Sequence, residues 1–514
     1  MASFKQITLG STTEMKLELN LEDYIPSDDL SRQIITVVDS LDIKEIESTY
    51  SEIGQRAYPP RIMLRILFYG YTQGIRSGEK LKQACRRDIV FIYLAGGLRP
   101  SKSTINDFKA NHHSHFAALF QQLVKYLISE GYTNSKEVYG DGTTIRANAS
   151  ANRSKTKSKF EKWLSHLQDD IAEIEKANGL TSTDSEQTNL DSKLQSKKQL
   201  AQKIKHRLNQ WPEDAKPTQK LNLTDEDAYF MKGKKGGKDT FYNTQVVVSD
   251  EQFILHNHIS CTSSDKKELI PCIEGIKNNI GQYPEKAAFD SGYSSFSNEE
   301  YAAALKGFTL YMPEQNHGKS YKNKPFHITH FQFDPVNDFY LCPQRKRLVF
   351  HRHKNYGGYQ NRIYKGLACQ QCPVRALCTK AKARTIHREI RQPLRNEMNT
   401  RLLTTKGKLF YDKRRHKVEP VFGHFKYNQG YQYFLLRGKA KVTAEFNLMC
   451  IAYNLIRMWN LIKIKLRQPL IWLANSLLKS IARFMKKLNL IVNELLKIIV
   501  LSYISIFLST KQKS

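Results

Sequence analysis

The chain has 514 residues, with 80 Lys plus Arg against 49 Asp plus Glu, a formal charge of +31 and eight cysteines. That length holds several domains with a sizeable core, and so few cysteines in so long a chain exclude a disulfide scaffold. The basic excess is spread along the whole chain rather than gathered on one amphipathic segment, which excludes a membrane-surface anchor as its cause and points to a polyanion, nucleic acid first. The start, Met1 to Gln6, lacks the apolar core of a signal peptide, so a cytoplasmic protein with reduced thiols is expected.

The N-terminal part reads as helical. Leu17, Leu21 and Ile25 keep weak helical spacing in a short lead-in that Pro26 cuts off. Pro60 opens a helix through Ile62, Leu64, Leu67 and Phe68 toward Gly74. Ser77 is placed to cap a second helix, through Leu81, Cys85 and Ile89 to Gly96 and Gly97. Ser103 is placed to cap a third, through Ile105, Phe108, Phe116, Phe120 and Leu123 to Gly131. Lys80, Lys82, Arg86 and Arg87 on the second are compatible with a DNA-reading module; a plain helical domain packed on the rest fits equally.

Residues 137 to 145 read as a short strand ending in Asp141, Gly142 and Thr143. Phe160, Trp163, Leu167, Ile171 and Ile174, then Leu194, Ala201, Ile204, Leu208 and Trp211, predict an antiparallel helical hairpin over 151–215. Its lysines either touch DNA or line a solvated coil. Residues 242–249 and 253–260 predict a hairpin around Asp250 and Glu251, and Leu269, Ile270, Ile273 and Ile276 a helix. Residues 286–293 read as a second buried strand, ending in Asp290, Ser291, Gly292 and Tyr293. An Asp where an apolar strand runs into Gly is where sheet proteins present catalytic groups, although an ordinary strand-ending turn looks the same. A helix over Glu299 to Leu305 and a fifth strand over 308–312 follow.

The next stretch, 321–389, is a small, polar and strand-poor insert. It carries Cys342, Cys369, Cys372 and Cys378, a set that fits a tetrahedral structural zinc site, with His351 and His353 as possible replacements for one thiol. A redox pair or four unmetallated thiols are the alternatives. Cys85, Cys261, Cys272 and Cys450 sit in apolar patterns and read as core.

From Tyr411 to Lys426 one carboxylate, Glu419, stands among basic residues. On a helix, Arg415 lies one turn before it and Lys426 two turns after it on the same face, an acid between two bases suited to a metal-phosphate complex. A solvated helix with local ion pairs is the bland alternative. Phe422 and Phe425 mark an apolar stripe, and Pro420 predicts a helix that starts or bends near the acid. Past Trp459 the chain is apolar and basic, but its uncharged run from Ile498 to Thr510 is too short to span a membrane, so 461–514 reads as an amphipathic helical tail.

Asp141, Asp290 and Glu419, with Asp-Gly-Thr after the first strand, Asp-Ser-Gly-Tyr after the second and Arg415, Glu419 and Lys426 around the third, resemble the DDE transposases of bacterial insertion sequences. The likeness is greatest to the group named eleven-eighty-two in the insertion-sequence nomenclature and runs over roughly residues 20 to 460. One departure is that the wider family puts a Tyr three residues before the Arg, whereas Tyr411 is four before Arg415. The resemblance implies an α/β fold with a ribonuclease-H-like mixed-sheet core. Strand, hairpin, helix, strand is the order of such a core, in which the first and fourth strands are neighbours, so Asp141 and Asp290 would meet.

The implied domains are a helical, DNA-binding 1–132; a catalytic core from 133–150, 216–320 and 390–460; the helical hairpin 151–215; the cysteine insert 321–389; and the tail 461–514. The resemblance further implies two Mg²⁺ ions (Mn²⁺ as alternative) on Asp141, Asp290 and Glu419, with Arg415 and Lys426 on DNA phosphates. The partners would be the element's terminal repeats and target DNA, bound by a homo-oligomer without stable membrane association, in a nucleoid-associated bacterial protein. A non-catalytic DNA-binding protein and a metal-dependent nuclease that cuts without joining are the rival readings.

Overall fold

The computed structural model describes residues 20–51, 57–178, 184–233, 236–260, 262–315, 324–356 and 358–464. The chain divides into two units, Met1–Leu455 and Ile456–Ser514. In the second, residues 456–464 are helical; the rest of the expected amphipathic tail lies outside the described residues, as does Cys261. No helix among the described residues is long and apolar enough to cross a membrane.

The first unit opens with helices α1 (Leu30–Ser40), α2 (Lys44–Glu47), α3 (Pro60–Thr72), α4 (Gly78–Arg87), α5 (Ile89–Leu94), α6 (Lys102–Asn111) and α7 (Phe116–Ser129). Pro60 stands at the first helical position of α3, and the Ser77 side chain accepts from Lys80 N–H at the start of α4. Two expected helices are each divided. Asp88 ends α4 and caps α5 by accepting from the N–H groups of Val90 and Phe91. The predicted third helix breaks between Asn111 and Phe116, and its cap is Ser101 rather than Ser103. Ser101 has the extended backbone an N-cap needs, whereas Ser103 already lies inside α6.

Next come β1 (Glu137–Arg146), β2 (Ser154–Lys155), α8 (Lys157–Asn178), α9 (Asp184–Asn209), β3 (Leu221–Asn222), β4 (Tyr229–Lys232), β5 (Lys238–Ser249) and β6 (Ile254–Ile259). Helices α8 and α9 pack together over a small core of Phe160, Leu167, Ile204 and Leu223. Then follow α10 (Leu269–Ile280), β7 (Lys286–Ala288), α11 (Phe296–Ala304) and β8 (Thr309–Tyr311).

These strands build one eight-stranded sheet in the order β2-β3-β4-β5-β1-β7-β8, with β6 also paired to β5. Strand β1 is antiparallel to β5 and parallel to β7, and β7 is parallel to β8. Val138, Tyr139, Val246, Val247, Val248, Ala287, Ala288 and Phe289 are all sealed from solvent, as strands covered on both faces require.

The cysteine-bearing stretch corrects the strand-poor expectation. It forms β9 (Gln332–Asp334), β10 (Phe339–Leu341), β11 (Arg347–Tyr356), β12 (Tyr359–Gly366), the short helix α12 (Arg375–Cys378) and β13 (Thr385–Glu389). The strands make a five-stranded antiparallel sheet around Phe331, Tyr340, Leu348, Tyr364 and Ile386. Only alternate residues of these strands meet that core, so the sequence looks polar. Helices α13 (Gln392–Leu403) and α14 (Thr405–Gly423), a π-helical turn (His424–Asn428) and a helix over 439–455 complete the unit.

Candidate active site

Strands β1 and β7 run parallel with Tyr139 opposite Ala288. Asp141 and Asp290 each lie two residues beyond that pair, so the two carboxylates are carried level on neighbouring backbones. The close approach there depends on Gly140, where a Cβ would stand 2.0 Å from the ring of Phe289. Each acid is held by its own turn. Asp141 Oδ1 accepts from Gly142 N–H at 2.7 Å, and Asp290 Oδ1 from Gly292 N–H at 2.8 Å. Asp141 is buried, at 8% exposure.

Helix α14, whose Thr404 cap accepts from Gly407 N–H, lies against β1, β5 and β7. It buries Phe410, Arg414, Val418, Val421 and Phe422. Pro420 neither starts nor ends it. The missing Pro420 N–H leaves the carbonyl of His416 without its helical partner, and the Gln252 side chain, from the turn between β5 and β6, donates to that oxygen at 2.9 Å. Lys417 and Asp250 pair beside it at 3.1 Å.

The helical phase distinguishes two adjacent arginines. Arg414 is four residues from both Phe410 and Val418, so it points inward, where its Nη1 stands 3.3 Å from Asp141 Oδ2. Burial works against its charge, but Asp141, then Tyr411 and Asp290, hold its pKa above the usual arginine value. Its Nε and Nη1 are buried and find no hydrogen bond among the described residues. Arg415, the arginine singled out by spacing from Glu419, is exposed. The missed residue is therefore Arg414, and its signal was the apolar period around it. Tyr411 is three residues before Arg414, and its ring centre lies 5.9 Å from that guanidinium. Lys426, within the π-helical turn, reaches back to β1 and donates to Thr143 Oγ1 at 2.6 Å. Thr143 shares a strand face with Asp141. Glu419 is exposed on α14 between these basic residues.

Asp141 and Asp290 are thus brought together, and Glu419 is carried on the helix packed across their strands. Among the described residues, no three His, Cys, Asp or Glu side chains close tightly enough to hold a metal ion. The hard oxygen donors at two adjacent strand ends nonetheless fit a hard divalent cation. Cys342, Cys369, Cys372 and Cys378 line one common cavity of about 30 Å³ at the end of the five-stranded sheet. All four are free thiols; burial, and then the neighbouring thiols against the opposing effect of Arg384, pushes Cys378 up. His351 and His353 lie on β11 and are not among the lining residues.

Two family models match the chain. One, described as a transposase DDE domain, covers residues 341–459 and so includes the four cysteines, Arg414, Glu419 and Lys426. The other, described as a transposase domain (DUF772), covers residues 19–111. Both support an insertion-sequence transposase. The N-terminal transposase match ends with α6, and the DDE match takes in α13, α14 and the helix over 439–455. Asp141 and Asp290 lie outside both matched stretches. No curated protein and no solved structure gives a significant match.

Proposed function

We propose that the protein is a DDE transposase that cleaves DNA at the ends of an insertion sequence and joins the freed strand to target DNA. The observation that supports this most is the level placement of Asp141 and Asp290 on parallel neighbours, with the helix of Glu419 laid over both strands. In this reading β6-β5-β1-β7-β8 is a ribonuclease-H-like core, and the N-terminal helices bind the terminal repeats. Asp141, Asp290 and Glu419 would be the residues that hold two Mg²⁺ or Mn²⁺ ions. Such ions activate an oxygen nucleophile and stabilise the leaving 3′ oxygen.

Water attacks a phosphorus at the element's end, the P–O3′ bond breaks, and a 3′-OH and a 5′-phosphate remain. That 3′-OH then attacks a target phosphodiester in line, forming one new bond and releasing a target 3′-OH. Arg415 and Lys426 hold phosphate oxygens, while Arg414 offsets the charge of Asp141 as the polyanion approaches. Bringing two ends together calls for a homo-oligomer on the DNA of the nucleoid. The decisive assay uses DNA carrying the element's ends, with Mg²⁺ or with a chelator. Cutting and joining with Mg²⁺ alone is expected. Cutting without joining makes the protein a nuclease, and DNA binding without cutting makes it a non-catalytic binder.

For the cysteine cavity the reading is a structural zinc ion, reached when the four sulfurs turn inward onto one centre. Thiolate donors around a small cavity suit zinc, and the metal would cross-link the β10–β11 turn to α12. Purified protein is expected to release about one zinc per chain when a mercurial blocks the thiols, and Cys372→Ser to release far less. Four freely titrating thiols with no zinc would instead leave the cavity an ordinary apolar one.

A further inference from the structure

We propose that Asp265 is a positioning residue that sets the orientation of a buried amide network spanning the Asp141 and Asp290 strands. This rests on the two-metal reading above. Asp265 lies on no strand; it opens a 3-10 turn, Asp265–Lys267, just before α10. Its Oδ1 accepts from Asn243 Nδ2 at 2.9 Å and from Gln245 Nε2 at 2.8 Å. Both amides are on β5, beside β1, and Gln245 is fully buried. Gln245 Nε2 also donates to Asn243 Oδ1 at 3.1 Å, and Gln245 Oε1 accepts from the hydroxyl of fully buried Tyr293.

The charge of Asp265 orders these bonds, with the Thr262 carbonyl, which accepts from Asn243 Nδ2 at 3.4 Å, as a second and weaker acceptor on Asn243. An amide end can donate or accept, and a hydroxyl can do either, so Asn243, Gln245 and Tyr293 alone permit two opposite arrangements. A carboxylate only accepts. It forces the NH₂ ends of Asn243 and Gln245 toward itself, leaves Gln245 Oε1 facing Tyr293, and obliges the Tyr293 hydroxyl to donate.

Both candidate acids lean on this network. Gln245 crosses β1 at Gly142, where a Cβ would lie 2.3 Å from its Nε2, and the Gly142 N–H is the group that holds Asp141. Tyr293 ends the 3-10 turn that Asp290 caps. Asn298, at 1% exposure, fastens the two turns by donating to the carbonyls of Lys266 and Tyr293 at 2.8 and 2.7 Å. The second oxygen of Asp265 and Asp290 Oδ1 flank one point, 3.6 and 2.9 Å from where a Cβ on Gly292 would stand. Asp265 thereby fixes the turn that aims Asp290 without being assigned as a ligand.

Mn²⁺ binding followed by electron paramagnetic resonance tests this independently of catalysis, on the full-length protein. Asp265→Ala and Tyr293→Phe are each expected to weaken Mn²⁺ about tenfold, as loss of an outer-shell partner does, with DNA affinity unchanged. The double variant is expected to be no weaker than either single one, because both break one relay. Asp265→Asn is expected to fall between, since its oxygen still accepts but its amide no longer forbids the reversed arrangement. Tyr293→Phe keeps the ring and tests the relay even if Asp265→Ala does not fold. Unchanged Mn²⁺ affinity in Tyr293→Phe, additive losses in the double variant, or a wild type that binds no Mn²⁺ overturns the inference. Normal Mn²⁺ binding with the expected losses, but no DNA cleavage, overturns the transposase reading alone.

Discussion

Asp141→Asn is expected to lower Mg²⁺-dependent cleavage of end-bearing DNA by on the order of 10³-fold or more, about 4 kcal/mol of barrier. The substitution is nearly isosteric, and the retained oxygen still accepts from Gly142 N–H. The other oxygen becomes an NH₂ group facing Arg414 Nη1, so a carboxylate is lost where a metal would be held and a buried guanidinium loses its counter-ion. The second effect destabilises the protein, and thermal unfolding must be followed with the rate. Glu419→Gln separates the two effects. Glu419 is exposed, so its charge is removed without stranding a buried partner. A comparable loss of cleavage is expected there with the unfolding midpoint and DNA binding unchanged. Wild-type cleavage by Glu419→Gln would remove Glu419 from the active site.

The parts of the site legible in the sequence are those with local signatures. Asp141 and Asp290 each end an apolar run near a Gly, and the ribonuclease-H-like order that the resemblance implies makes their strands neighbours, as β1 and β7 are. Arg414 was not legible by spacing from Glu419, because that spacing selects Arg415, one turn away on the same face, while Arg414 is five residues away on another. The deciding information is which face of α14 is buried, and that comes from Phe410, Val418 and Val421 meeting the sheet. The sheet around the cysteines was missed for a related reason: its strands bury one side only, and Arg347, Arg352 and Lys354 dominate the pattern of β11. The Asp265 network is less legible still. Asn243, Gln245, Asp265 and Tyr293 become partners only when β5, the turn before α10 and the turn after β7 converge.

Removing the Arg76 side chain is expected to cost about 3–5 kcal/mol of stability, the penalty for stranding a buried charge. Arg76 lies between α3 and α4 at 6% exposure, and its Nη1 donates to Glu445 Oε1 at 2.9 Å and to the carbonyl of Tyr433 at 2.8 Å. Its guanidinium also stands 4.8 Å from the ring centre of Tyr431. Glu445, at 1% exposure, accepts from the backbone N–H groups of Leu435 and Leu436, so it ties the N-terminal helices to the segment that follows α14. Burial pushes the Glu445 carboxyl above its ordinary range, and Arg76 is the strongest influence pulling it back. In Arg76→Ala that restraint is gone. The folded chain then keeps its proton to higher pH than the unfolded chain, so stability falls as pH rises through the raised folded value. The deficit of Arg76→Ala in urea unfolding is therefore expected to be largest at neutral pH and to shrink on acidification. Adding Glu445→Gln should recover much of it at neutral pH, since an amide still accepts one backbone N–H without leaving a buried charge. A deficit that does not change with pH and is not relieved by Glu445→Gln would mean that Arg76 acts through its packing on Tyr431 instead.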